Sequence, residues 1–179
     1  MEDGIIPLLF QLFRTDCCGE VVALGSVKHR KLLGARVLVR ACIKPEGFHS
    51  TNSIWMGSDF DGAFAQYVKV PITEIFPINS DWSNADLATI PCAYGTAENM
   101  LHRAKCGLGD HVFVVGASGG VGSAAIQLAK RRGSYVTAFT TTSKSKSVKS
   151  IGADQVITRE NNMLSSLGEE SVDLVIDNV

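Results

Sequence analysis

The sequence has no cysteine framework. Its 5 cysteines, Cys17, Cys18, Cys42, Cys92 and Cys106, are odd in number and irregularly spaced. No Cys-x-x-Cys pair and no Cys/His cluster at zinc-finger spacing occurs, which argues against a disulfide scaffold and fits a reducing, cytoplasmic compartment. Charge of one sign is also missing. With 17 Lys and Arg against 18 Asp and Glu, the formal net charge is −1. Nothing electrostatic therefore calls for a nucleic acid or a membrane surface as partner. The apolar patch near the start (Ile5, Ile6, Leu8, Leu9, Phe10) is too short to span a bilayer. It follows Glu2 and Asp3 rather than basic residues, so it does not read as a signal peptide. Residues 1–14 are expected to be soluble or partly disordered. Internal repeats and low-complexity tracts are absent, and no Ser/His/Asp set can be assembled from spacing.

What is present fits a soluble globular chain of 179 residues, 45% hydrophobic and 20% charged, long enough for one ordinary domain or two partial ones. The front third reads as all-β. Residues 20–25 and 35–43 are rich in β-branched side chains, and Ala63 to Val70 alternates up to Pro71. Asp59 and Asp61 lie among glycines and read as turn residues, whereas Trp55, Phe60, Phe64 and Tyr67 read as core. Near residue 80 the pattern changes. Asn79-Ser80-Asp81 offers a helix cap, Asp86 to Ile90 has helical spacing, and Cys92 to Ala104 reads as a buried helix. From residue 111 onward short apolar runs alternate with helical segments. Strands are expected at Val112 to Val115, Tyr135 to Phe139, Gln155 to Ile157 and Val172 to Ile176, with helices at Val121 to Arg131 and Ser143 to Ile151. Gly133 is placed to end the first of these helices with a left-handed cap. Such alternation implies a parallel sheet.

Between the first of those strands and its helix lies Ala117-Ser118-Gly119-Gly120-Val121-Gly122. A pyrophosphate needs close backbone approach there, which a Cβ would block, and the free N–H groups of a helix start. Gly119 matches the middle glycine of G-x-G-x-x-G and Gly122 the third, while Ala117 replaces the first. The strand–turn–helix context makes this a dinucleotide-binding βαβ unit rather than a chance match. An acid about 20 residues past such a turn would bond the ribose 2′-hydroxyl of NAD. Here the second strand ends in Phe139-Thr140-Thr141-Thr142-Ser143-Lys144, and no acid occurs between Asp110 and Asp154. Hydroxyls and a lysine suit a 2′-phosphate, so the expected cofactor is NADPH. Lys144 is the candidate for that charge-assisted contact, and Lys146 and Lys149 read as a solvated helix face.

Gly116 to Gly122, Ala124 to Lys130 and Ile151 to Ile157 together resemble the medium-chain dehydrogenase/reductase superfamily, nearest its quinone-oxidoreductase-like and alcohol-dehydrogenase-like branches. Val172 to Val179 resembles the fourth Rossmann strand of that family. Cys18 to Gly25 and Gly62 to Val68 resemble two signatures of its GroES-like catalytic domain. The resemblance covers most of residues 16–179. It implies an α/β fold: an incomplete doubly wound, Rossmann-type parallel sheet over residues 89–179, preceded by part of a GroES-like β-barrel over 1–88.

The resemblance further implies NAD(P)H-dependent hydride transfer to or from a small carbonyl, quinone or activated alkene, in a cleft between two domains. The family is usually a homodimer or homotetramer. By position, Ser118, Gly119, Gly120 and Val121 would meet the pyrophosphate, and Thr140, Thr141 and Lys144 the 2′-phosphate. Thr96 would lie near the nicotinamide and Asn178 near its ribose. Arg159 stands where quinone reductases often carry Tyr and reads equally as phosphate support or as an exposed arginine. The family's zinc-binding branch has Gly-His-Glu where this chain has Arg14-Thr15-Asp16. With that histidine gone, Cys92 alone cannot hold a catalytic zinc, which takes about three protein ligands, so it reads as a buried cysteine and the chemistry as zinc-independent. The family pattern begins well before Cys17 and continues well past Val179. This makes a truncated, non-catalytic nucleotide-binding or interaction protein the rival expectation.

Overall fold

The computed structural model describes residues 15–47 and 49–179, and the expectation for residues 1–14 lies outside them. The chain divides into two compact units, residues 1–92 and 93–179.

In the first unit, β1 (Cys18–Glu20), β2 (Arg36–Val39) and β5 (Ile75–Pro77) form an antiparallel sheet in the order β1-β2-β5. β3 (Cys42–Ile43) pairs antiparallel with β4 (Ile54–Trp55). Val37 and Val39 alternate into the interior, as period-2 geometry requires, and Val39 joins Ala41 and Met56 in a small apolar cluster flanked by Phe60, Val68 and Val70. The strand expected at 63–70 does not form. This segment pairs with no neighbour among the described residues, and Phe64 and Tyr67 are exposed rather than core. Alternation supplies a face for burial but not the partner strand whose hydrogen bonds would make it regular. Asp59 is a turn residue as expected, its Oδ2 accepting from the Trp55 N–H at 2.7 Å.

The helix signal near residue 80 is displaced for a visible reason. Arg36 donates to the Trp82 carbonyl at 3.0 Å and also to the Ser80 carbonyl, which holds 80–82 outside the helix. The cap is Ser83, whose Oγ accepts from the Asp86 N–H at 3.1 Å and opens α1 (Asn84–Ala88).

One buried acid, Glu74, organises this unit. Its carboxylate accepts from Arg40 Nε at 2.6 Å and from the Thr73 hydroxyl at 2.9 Å, and Arg40 also lies over the Phe76 ring. The Arg40 hydrogen bond holds the Glu74 carboxyl below its ordinary value, overcoming the burial that pushes it up. Glu74→Ala removes this link and is expected to cost the first unit about 2 kcal/mol. Urea unfolding monitored by tryptophan fluorescence would show the loss; an unchanged midpoint would mean the pair contributes nothing.

α2 (Ile90–Arg103) leads into the second unit, where β6 (His111–Val115), β7 (Tyr135–Thr140), β8 (Gln155–Thr158) and β9 (Leu174–Ile176) make one parallel sheet in the order β8-β7-β6-β9. Its helices are α3 (Gly120–Arg131), α4 (Ser145–Ser150) and α5 (Met163–Leu167). Val112, Phe113 and Val114 are all buried, so the unbroken apolar run marks a strand covered on both faces. Ala124, Ala125, Ile126 and Ala129 of α3 pack into the same core with Leu101, Val136 and Ala138. Gly133 takes φ +84° directly after α3, the expected left-handed cap, and a Cβ there would meet Leu108 Cδ1 at 2.6 Å. His111, at the start of β6, is half-buried. Its ring bridges the Ser171 carbonyl and the Thr137 hydroxyl, the latter at 2.8 Å.

Candidate cofactor-binding site

The chain passes from β6 to β7 to β8 on one side and then crosses to place β9 on the other side of β6. That reversal is a topological switch point, and in open parallel sheets the crevice outside the carboxyl ends of the strands at such a point is where ligands bind. Every site residue expected in the sheet lies at this edge: Ser118 to Val121 after β6, Thr140, Thr141 and Lys144 at and beyond the end of β7, and Asn178 after β9.

The turn itself is built on close contact. A Cβ on Gly122 would stand 2.3 Å from the Gly116 oxygen and 2.8 Å from Ala117 Cα, so only glycine lets α3 start this close to β6. The left-handed residue is Gly116, at φ +67°, not Ala117, which is buried. Sequence reasoning assigned the first glycine position to the alanine and missed that its predecessor makes the turn. The signal was the glycine standing directly after an apolar strand.

At Gly119, the residue before α3, no side chain caps the helix, and its first turn holds no acid. The Gly119 N–H donates to the Gly116 carbonyl at 3.0 Å, and the first helical bond runs from Ser123 N–H to Gly119 O at 2.9 Å. The intervening N–H groups of Gly120, Val121 and Gly122 therefore have no partner within the helix. Ser118, Gly119 and Gly120 are exposed. A 12-residue helix that presents free donors at an exposed start fits an anionic group such as a dinucleotide pyrophosphate.

Of two further expected residues, Asn178 borders this turn and Thr96 lies one helical turn from a residue that does. A Cβ on Gly120 would lie 3.6 Å from the Ala93 Cβ of α2, and half-buried Thr96 sits one helical turn on from Ala93, on the same face. Asn178 donates from Nδ2 to the Val115 carbonyl at 2.6 Å, which leaves its Oδ1 beside Gly116 as an acceptor. At the end of β7 Thr140 is buried, and beyond it Thr141 is half-buried and Lys144 exposed without an ion pair among the described residues. Lys146, Lys149 and Arg159 are exposed.

Lys130, from the basic run ending α3, has a structural task. It donates to both Asp154 oxygens, at 2.9 and 2.8 Å, and to the Ser134 carbonyl at 2.9 Å.

Among the described residues, no three His, Cys, Asp or Glu side chains converge as a metal site. Cys92 is exposed, not buried. It falls five residues before Ala97, on the opposite side of α2 from the buried Ala97 and Leu101. Its N–H donates to Asp16 Oδ1 at 2.8 Å, a proximity that spacing alone did not suggest. No described helix is long and apolar enough to cross a membrane.

The parallel order β8-β7-β6-β9 and the glycine turn at its switch point define an α/β protein of the Rossmann dinucleotide-binding type. No family model matches the chain. It is 31% identical over 138 residues to an acryloyl-coenzyme A reductase of Metallosphaera sedula, a match covering 77% of this chain and 41% of that protein. It is 34% identical over 156 residues to a chloroplastic NADPH-dependent alkenal/one oxidoreductase of Arabidopsis thaliana, covering 82% of this chain and 36% of that one. Among solved structures, the quinone oxidoreductase of Coxiella burnetii superposes with a TM-score of 0.79 at 31% identity, over 96% of this chain and 50% of the other. The chain belongs to the medium-chain dehydrogenase/reductase superfamily and spans half or less of the length of these relatives.

Proposed function

We propose that this chain carries the cofactor site of an NADPH-dependent, zinc-independent oxidoreductase acting on a small carbonyl, quinone or activated alkene. The observation that carries the reading is the uncapped, acid-free start of α3 behind the Gly116–Gly122 turn, at the carboxyl edge of a parallel sheet. The named activities of the relatives, on acryloyl-coenzyme A, alkenals and quinones, support the substrate class.

In this reading the segment Ser118 to Val121 meets the pyrophosphate, with the unpaired Gly120 and Val121 N–H groups as donors, and Lys144 pairs with the 2′-phosphate beside Thr141. Thr140, buried beneath them, sets the edge. Thr96 and the Asn178 Oδ1 orient the nicotinamide end. Bound nicotinamide supplies the hydride, and the protein supplies orientation. Zinc is not needed, because Thr15 stands where the zinc-binding branch has histidine and Asp16 is engaged by the Cys92 N–H.

Calorimetric titration of the chain with NADPH and NADH tests the reading. Lys144→Ala is expected to weaken NADPH about tenfold while leaving NADH nearly unchanged. Equal losses for the two nucleotides would sink the assignment of the 2′-phosphate. Absence of binding by either would sink the dinucleotide site.

A further inference from the structure

β7 carries no acid, but the fold brings one in from the next strand. β8 runs parallel to β7 with Thr158 opposite Thr140, and the Arg159 N–H donates to the Thr140 carbonyl at 3.0 Å. The residue after that, Glu160, therefore stands beside the 141–144 turn. Its Oε2 accepts from the Thr142 hydroxyl at 2.7 Å. The Thr142 hydroxyl, with the Glu160 N–H, the Thr158 hydroxyl and the Thr142 N–H, holds the Glu160 carboxyl below its ordinary value. It is charged at neutral pH, and no ion pair neutralises it among the described residues.

We propose that Glu160 sets the nicotinamide-cofactor specificity of this site, opposing Lys144. The inference rests on the dinucleotide reading above. A 2′-phosphate carries a charge approaching −2 and is repelled by a carboxylate at the edge where it must sit, whereas a 2′-hydroxyl can donate to that carboxylate. The same hydrogen bond also withdraws the Thr142 hydroxyl from a phosphate. In dinucleotide folds that select NAD, this acid ends the second strand. Here it arrives from the third, 18 positions beyond the threonine it touches, so a scan of the second strand does not find it. Lys144 draws the phosphate in and Glu160 pushes it away, and the NADPH-to-NADH affinity ratio reports their balance.

The test is calorimetric titration of the full chain and of Glu160→Gln with NADPH and NADH, with circular dichroism to establish that the variant is folded. Glutamine keeps the length and the acceptor for Thr142 and removes only the charge. NADPH is expected to bind roughly fivefold tighter to the variant, with NADH unchanged or weaker. Glu160→Lys, which reverses the charge, is expected to move the ratio further the same way and provides a second route should the glutamine variant misfold. A ratio that stays put, or equal shifts for both nucleotides, overturns the role of Glu160 while the dinucleotide site stands. If the unsubstituted chain binds neither nucleotide, both readings fall.

Discussion

Gly122→Ala is expected to destabilise the second unit by about 3 kcal/mol, the upper part of the range for overpacked sites. The added methyl would stand 2.3 Å from the Gly116 oxygen and 2.8 Å from Ala117 Cα, and both obstacles are backbone rather than the end of a flexible side chain. Relief requires α3 to move away from β6. That shift would open the core formed by Ala124, Ala125 and Val114 and pull the free N–H groups of Gly120 and Val121 out of register with the sheet edge. Chemical denaturation should show the lower stability, and calorimetry a parallel loss of nucleotide affinity. Gly120→Ala is the comparison: its Cβ would meet only the Ala93 methyl, at an ordinary 3.6 Å, and it should cost far less. Equal effects at the two positions would mean that the close approach at Gly122 is not what holds the turn.

Asp154→Ala is expected to cost about 3 kcal/mol, because one carboxylate serves several donors at once. Its oxygens accept from Lys130 at 2.9 and 2.8 Å, and Oδ2 also accepts from the Val136 N–H at 2.6 Å. The residue thus ties the end of α3 to the start of β7 just before β8 begins. Without it the Lys130 ammonium retains only the Ser134 carbonyl among its described partners.

The same cluster predicts a pH dependence. Burial disfavours the Asp154 charge, but the hydrogen bonds from Lys130 and the Val136 N–H outweigh it, and the carboxyl titrates below its ordinary value. A depressed folded-state value contributes stability that is present above the ordinary aspartate range and is lost as pH falls through the folded-state value. Unfolding midpoints should therefore decline on acidification below about pH 4. That decline should be shallower in Asp154→Asn, and an identical acid limb in variant and parent would remove Asp154 from the account.

The second unit was far more legible than the first. Strand β6 and helix α3 announce themselves because an apolar run, a glycine turn and an amphipathic segment follow one another within a few residues, and each depends on local geometry. The front unit has short strands of 2 to 4 residues, whose existence depends on distant partners. β5 and the β3–β4 pairing escaped notice for that reason, and the alternation at 63–70 misled for the same one.

The candidate site divides along a similar line. Spacing along the chain was enough to pick out the glycine turn and the lack of an acid on β7, because close backbone packing restricts residue type position by position; the missing histidine came from the family resemblance. Folding was needed to bring Glu160 to Thr142 across 18 positions, Lys130 to Asp154 across 24 and Asn178 to Val115 across 63. Those contacts follow from parallel pairing, which aligns strands separated by whole helices and carries side chains from remote stretches to one edge of the sheet. No periodicity records that alignment, so the acid beside the 141–144 turn became visible only in three dimensions.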